Sequence, residues 1–201
     1  MASKTEIANL ALSHLGTGNE INNLETEKST EANVIRRFYD TALENTERDF
    51  PWSFLTAFAD LALVEENPTD EWGYSYRYPS DCVRVRRILS GKRNDGRPDR
   101  VPYKIGRDAQ GLLIYTDMAN AKMEYSKRET DPARFPADFT MAFSLRIASY
   151  SAPRICSEDP FKMGQRALQL YLAEIDMAKA SSVNEQQDEE APDAESIRAR
   201  N

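Results

Sequence analysis

The feature that most constrains this chain is a change of hydrophobic period, from helical to strand-like and back again. Ile7, Leu10, Ala11, His14 and Leu15 fall on one helical face, and Ala32, Ile35, Phe38, Tyr39, Ala42 and Leu43 on a second. Trp72, Tyr74, Tyr76 and Tyr78 then alternate strictly with Gly73, Ser75 and Arg77, which is the period of a strand. Phe139, Phe143, Ile147 and Tyr150 return to helical spacing, and Met163, Ala167, Leu170, Tyr171, Glu174 and Met177 continue it on one face. The order is therefore helix, helix, sheet, helix, helix.

Local signals set the boundaries. Ser3-x-x-Glu6 reads as a capping box, and Gly16 sits where a C-terminal glycine belongs. Pro51 ends the second helix, and Asp159-Pro160 places a capping side chain before proline at a first helical position. The helices are expected over about 3–16, 29–49, 137–153 and 159–180. The apolar run Trp52, Phe54, Leu55, Phe58, Leu61 and Leu63 reads as extended or irregular until Asn67-Pro68 breaks it. Strands are expected at Trp72 to Tyr78, Cys82 to Leu89, Val101 to Ile105, Leu112 to Thr116 and Ala121 to Ser126, with Gly91 to Pro98 as a hairpin tip or loop. The expected fold is α+β and mainly α: a four-helix bundle with a small antiparallel sheet inserted between helices two and three, over about 72–126. One domain would span 1–181. The polar stretch 182–201 would be an extended C-terminal tail, too poor in apolar residues to fold alone.

Composition removes several classes of function. No run approaches the roughly 18 to 20 apolar residues needed to span a bilayer. Met1 to Ile7 already mix Lys4, Thr5 and Glu6, leaving no apolar core for a signal peptide, so the protein is expected to stay where it is made. A net charge of -7 over 201 residues argues against a general nucleic-acid coat. The average hides an asymmetry: Arg77 to Arg107 is rich in Lys and Arg, while Glu185 to Glu195 carries only acidic charge. Cys82 and Cys156 match no paired spacing, so reduced, partly buried thiols are expected.

The catalytic inventory is thin. His14 is the only histidine and lies on an apolar face, where a core histidine is expected rather than a base. Gly16-Thr17-Gly18 lacks the context of a phosphate cradle, and Glu65-Glu66 and Asp188-Glu189-Glu190 read as solvated charge. No catalytic, cofactor-binding or metal residues are nominated, and no enzyme is expected. The aromatic ladder Trp72 to Tyr78 could stack bases but is expected to bury one face against helices. Arg84, Arg86, Arg87, Lys92, Arg93, Arg97 and Arg100 could touch phosphates, against a solvated hairpin or a subunit interface as the alternative.

Taken in order, several segments resemble the tail tubular protein A, or head-to-tail adaptor, family of short-tailed phages. They are Ala11-Leu12-Ser13-His14-Leu15-Gly16, Glu31-Ala32, Tyr39, Phe50-Pro51-Trp52-Ser53-Phe54 and Trp72-Gly73-Tyr74-Ser75-Tyr76-Arg77-Tyr78-Pro79-Ser80-Asp81-Cys82, closed by Phe139, Ala142 and Leu170-Tyr171. The likeness runs to about Asn184 and fails over Arg87 to Arg107 and after Ser182.

The resemblance implies a homo-oligomeric ring, typically of twelve copies, at the head-tail junction of a virion assembled in the host cytoplasm. Portal protein would lie on one side and the tail nozzle, tail tubular protein B, on the other. DNA would pass through without sequence specificity, and no membrane would be involved. Two contact sites are expected with it. Ile197, Arg198 and Arg200 of the tail would dock on the portal. Lys92, Arg93, Arg97 and Arg100 of the hairpin would meet the tail side or the adjacent subunit. The rival readings are a nucleic-acid-binding regulator using the basic 77–107 segment, a cell-wall hydrolase of the particle, and a head-completion protein of a long-tailed phage.

Overall fold

A computed structural model describes residues 2–92 and 99–185. Helix α1 (Lys4–His14) begins as its sequence dictates: Ser3 Oγ accepts from Glu6 N at 3.1 Å and Glu6 Oε2 accepts from Ser3 N at 2.6 Å. Gly16, at φ +69°, takes the left-handed conformation that lets Thr17 N return to Leu12 O. Helix α2 (Thr30–Asp49) is capped by Ser29 Oγ and ends where Phe50, extended, precedes Pro51. Helices α3 (Ala137–Ile155) and α4 (Pro160–Glu185) follow the strands. Two ends differ from expectation. α3 continues through Pro153 to Ile155, because a proline in the last turn removes only one donor. α4 runs to Glu185, so residues 182–185 of the expected extended tail are helical.

The expected single small sheet is wrong. Among the described residues there are seven strands: β1 (Thr56–Asp60), β2 (Leu63–Thr69), β3 (Trp72–Arg77), β4 (Cys82–Ile88), β5 (Lys104–Asp108), β6 (Gly111–Thr116) and β7 (Lys122–Lys127). They form two antiparallel sheets, ordered β1-β7-β4 and β2-β3-β6-β5. The fold is thus a mixed α+β arrangement rather than a helix bundle carrying one small sheet. β1 and β2 come from the run read as irregular. β1 is an edge strand paired from Thr56↔Ser126 to Asp60↔Lys122, and Phe58 stands 65% exposed. β2 is the edge of the other sheet and is exposed almost throughout, so it carries no alternation to read. Asn67-Pro68 does not break it. Asn67 takes φ +51° within a register shift between Glu66 and Thr69, and an edge strand tolerates a proline that donates nothing.

The described residues form two apolar cores. One belongs to the helices and includes Ile7, Leu12, Ile35, Leu43, Phe139, Phe143 and Tyr171. The other lies between the sheets and includes Leu61, Tyr76, Val85, Ile88, Ile114, Met123 and Tyr125. The aromatic ladder serves the second, against the expectation that it packs on helices. Tyr76 is buried, its hydroxyl donating to Met118 O at 2.8 Å and accepting from Ala121 N at 3.3 Å.

The joint between the two bodies is polar and centres on Trp52 and Arg86. Trp52 is rooted in the helical core, edge-on to Phe50 and Phe139 with ring centroids 5.0 Å away in each case, and its Nε1 donates to Thr46 O. Arg86 of β4 reaches across. It donates to Trp52 O at 2.7 Å, Thr56 Oγ1 at 2.6 Å and Ser126 Oγ at 3.1 Å, with Glu124 Oε1 at 3.7 Å. Arg84 donates to Arg48 O, and Glu129 N donates to the buried carboxylate of Glu47 at 2.9 Å.

Candidate interaction surfaces

The histidine and the two cysteines sit in packed surroundings. His14 Nε2 lies 3.1 Å from Ser144 Oγ, which itself donates to Met141 O, and burial holds the imidazole below its ordinary pKa. It is a neutral helix-packing group, joining α1 to α3. Cys82 and Cys156 are free, and burial pushes both thiols up, away from the reactive thiolate. Among the described residues, no group of three or more His, Cys, Asp or Glu could hold a metal ion, and no helix is long and apolar enough to cross a membrane.

Part of the basic segment is engaged by groups of the chain itself, while Arg84, Lys92, Arg100, Lys104 and Arg107 stand exposed. Arg77 forms a two-pronged pair with Asp108 at 2.9 and 2.8 Å, which holds that carboxyl well below the usual range. Arg84 and Arg86 are committed to the joint, and Arg87 Nε donates to Glu124 Oε2 at 2.7 Å. Lys92 is ion-paired with Asp99. Arg100 is exposed and lines a shallow cleft of about 290 Å³ with Arg87, Val101 and Tyr103. Lys92 and Arg100 lie in the connection between β4 and β5, while Arg93 and Arg97 lie outside the described residues. Ile197, Arg198 and Arg200 lie outside them too.

A surface that the sequence pattern misassigned is on α4. Leu170 and Met177 were expected on its core face, but the face against α3 is Ala167, Tyr171, Ile175 and Ala178. Leu170 and Met177 stand outward on one flank, Met177 57% exposed. Phe161, 73% exposed, stands on the other with Leu168 and Leu172. Beside Met177 an open groove of about 580 Å³ runs between α4, the start of α3 and the turn after Trp52. Its floor includes Trp52, Phe54, Met177 and Ala178, and its rim carries Asp138 and Glu174. α4 therefore carries exposed apolar side chains on both sides of the face that it packs against α3.

No protein-family model matches the chain, and no curated protein matches it.

Proposed function

We propose that the chain is a structural protein of a short-tailed phage particle, a head-to-tail adaptor that forms a ring between portal and tail nozzle and catalyses nothing. The observation that carries this reading is where the resembling segments lie. Phe50-Pro51-Trp52-Ser53-Phe54 builds the helical side of the joint, through Trp52. The segment ending Pro79-Ser80-Asp81-Cys82 builds the sheet side: Arg128 N donates to Asp81 O at 2.8 Å, and Tyr125 Oη bonds the Asp81 carboxylate at 3.3 Å. Two of the motifs, individually common, thus lie on the facing ends of the helical and sheet bodies. A rigid body with separate outward surfaces suits a connector that must hold unlike partners on two faces.

The engagement of Arg77, Arg86 and Arg87 by groups of the chain itself removes three cations from the set that the rival duplex-binding reading would place on phosphates. The first test is the mass of the purified chain by light scattering, alone and mixed with its cognate portal. A ring, or a stoichiometric portal complex, is expected. No self-assembly, no portal binding and a steeply salt-dependent affinity for duplex DNA would overturn the reading in favour of the regulator. Removing residues 186–201, with Ile197, Arg198 and Arg200, is expected to weaken portal binding. Charge reversal at Arg93 and Arg97 is expected to impair assembly and leave the fold intact.

A further inference from the structure

The four-stranded sheet ends in two edges of opposite charge. Among the described residues β2 and β5 each pair on one side only, β2 with β3 and β5 with β6. Each edge therefore turns backbone N–H and C=O groups away from its sheet, a template for one more strand. β2 carries Glu65 and Glu66, and β5 carries Lys104 and Arg107, all four exposed. None of these four side chains is engaged in an ion pair or a hydrogen bond among the described residues. β2 has no cation of its own, and the one anion of β5, Asp108, is held by Arg77. Asp70 and Glu71 follow β2, and Arg100 precedes β5, each adding to the charge of its edge.

The registers run straight across the sheet. Leu63 pairs with Tyr76, Tyr76 with Ile114, and Ile114 with Ile105, so the four make one row. Glu65, Ser75, Tyr115 and Lys104 make the next. In the first row Tyr76 and Ile114 are buried, while Leu63 and Ile105 at its ends stand 50% and 47% exposed. The second row ends in a carboxylate on one side and an ammonium on the other.

Building on the ring reading above, we infer that β5 of one copy pairs antiparallel with β2 of the next, joining their sheets edge to edge. Strand direction alternates through β2, β3, β6 and β5, and a copy laid alongside with the same face outward continues that alternation. Continuing the rows sets Ile105 opposite Leu63 and Lys104 opposite Glu65, an aliphatic pair beside an ion pair. Like edges exclude one another, because β2 on β2 gathers carboxylates and β5 on β5 gathers cations. Only the unlike edges match, and they lie on opposite sides of the sheet. The contact is therefore heterologous and repeats from copy to copy, as a ring requires. Pro68 and the shifted register around Asn67 limit it to the first half of β2. Strands of five and seven residues make a contact that is small beside the roughly 800 Å² per partner of a stable complex, so it is read both free and on the portal.

Two double reversals test the pairing in the full chain: Glu65→Lys with Glu66→Lys, and Lys104→Glu with Arg107→Glu. The readouts are sedimentation velocity up to about 1 mM protein and loading onto the cognate portal. All four side chains are exposed, so circular dichroism and melting should match the parent. If a reversal misfolds, Glu65→Gln with Glu66→Gln, or Lys104→Gln with Arg107→Gln, serves instead and should weaken association and flatten its salt dependence. The parent is expected to associate, and each reversal alone to associate at least about tenfold more weakly. Mixing the two reversals should restore assembly, because each basic edge then meets an acidic one on the other chain. One chain carrying all four changes should likewise assemble with itself and refuse the parent.

Reversals that associate and load as the parent does would overturn the edge contact and leave the adaptor reading standing. A weakening that neither the mixture nor the fourfold variant repairs would overturn it too. A parent that associates through these edges yet ignores the portal would keep the contact and remove the adaptor reading. A parent that is monomeric free but loads the portal decides the matter there: each reversal should load poorly and the mixture well, and full loading by either reversal refutes the contact. A parent that neither associates nor loads refutes both.

Discussion

Glu47 carries the sharpest consequence at the scale of one residue. It is fully buried on α2, one carboxylate oxygen accepting from Glu129 N while Oε2 has no hydrogen-bond partner. Desolvation raises its pKa to about 7, against the pull of that backbone bond and of Arg128. The unfolded chain titrates this group near 4.5, so between pH 4.5 and 7 the folded state holds a proton that the unfolded state has lost. The stability tied to protonated Glu47 is therefore complete below about 4.5, falls as pH rises, and is gone above about 7. Glu47→Gln should flatten that slope and raise stability at pH 8 by up to about 3 kcal/mol, read from urea melts at pH 5 and pH 8. An unchanged slope would show that the carboxylate is hydrated after all. Nothing in the sequence announced this group. Thr46-Glu47-Arg48 reads as an ordinary polar stretch near a helix end, and the amide that Glu47 accepts from belongs to Glu129, far along the chain. Arg86 was hidden for the same reason. Alternation in β4 identifies a charged face but not what covers that face.

Elements were legible where their causes are local. The capping box, the Ser29 cap and Pro51 set helix ends from a few residues, and Ser3→Ala should cost about 1 kcal/mol in a thermal melt. β1 and β2 were not legible: β2 is exposed along nearly its whole length and shows no alternation, and β1 turns only the small Ala57 and Ala59 to the core while Phe58 stands exposed. Their grouping into two sheets follows from pairings such as Thr56↔Ser126, which join distant segments. The helix pair α3–α4 holds a subtler dependence. Pro153 has no N–H for the Ser149 carbonyl, and Gly164 of α4 lies against that oxygen. A Cβ at Gly164 would come within 3.2 Å of Ser149 O and 3.4 Å of the Ala152 methyl. Gly164→Val should therefore destabilise the protein by about 1–3 kcal/mol in chemical denaturation. A neutral result would mean that the two helices can part by a few tenths of an ångström at no cost. The exposed apolar surface of α4 was half legible. Its apolar residues stand out in the sequence, but a wide apolar arc does not say which part faces the chain's own core.

At the scale of the molecule, two apolar cores are held together by directional polar bonds. The sequence disclosed a helical block and a strand block, but it set the strands' aromatic face against the helices and so missed the second core between the sheets. The separation of the two cores follows from which way Tyr76 and Trp52 turn. Arg86→Met combined with Arg84→Ala removes the donors to Trp52 O, Thr56, Ser126 and Arg48 O while leaving both cores intact. Differential scanning calorimetry should then resolve two transitions where the parent gives one, and a single lowered transition would show that the bodies share more than this joint. The same arrangement decides how the protein answers a mechanical load. Hydrogen bonds act over a fraction of an ångström, whereas interdigitated side chains must be drawn past one another. A force applied across the molecule passes through the joint, where short-range hydrogen bonds give little before they break, and among the described residues the backbone segments 50–55 and 128–136 tether the halves once they do. Strained in this way, the protein would yield like a hinge pin, sparing both packed interiors and able to snap shut when the load is lifted.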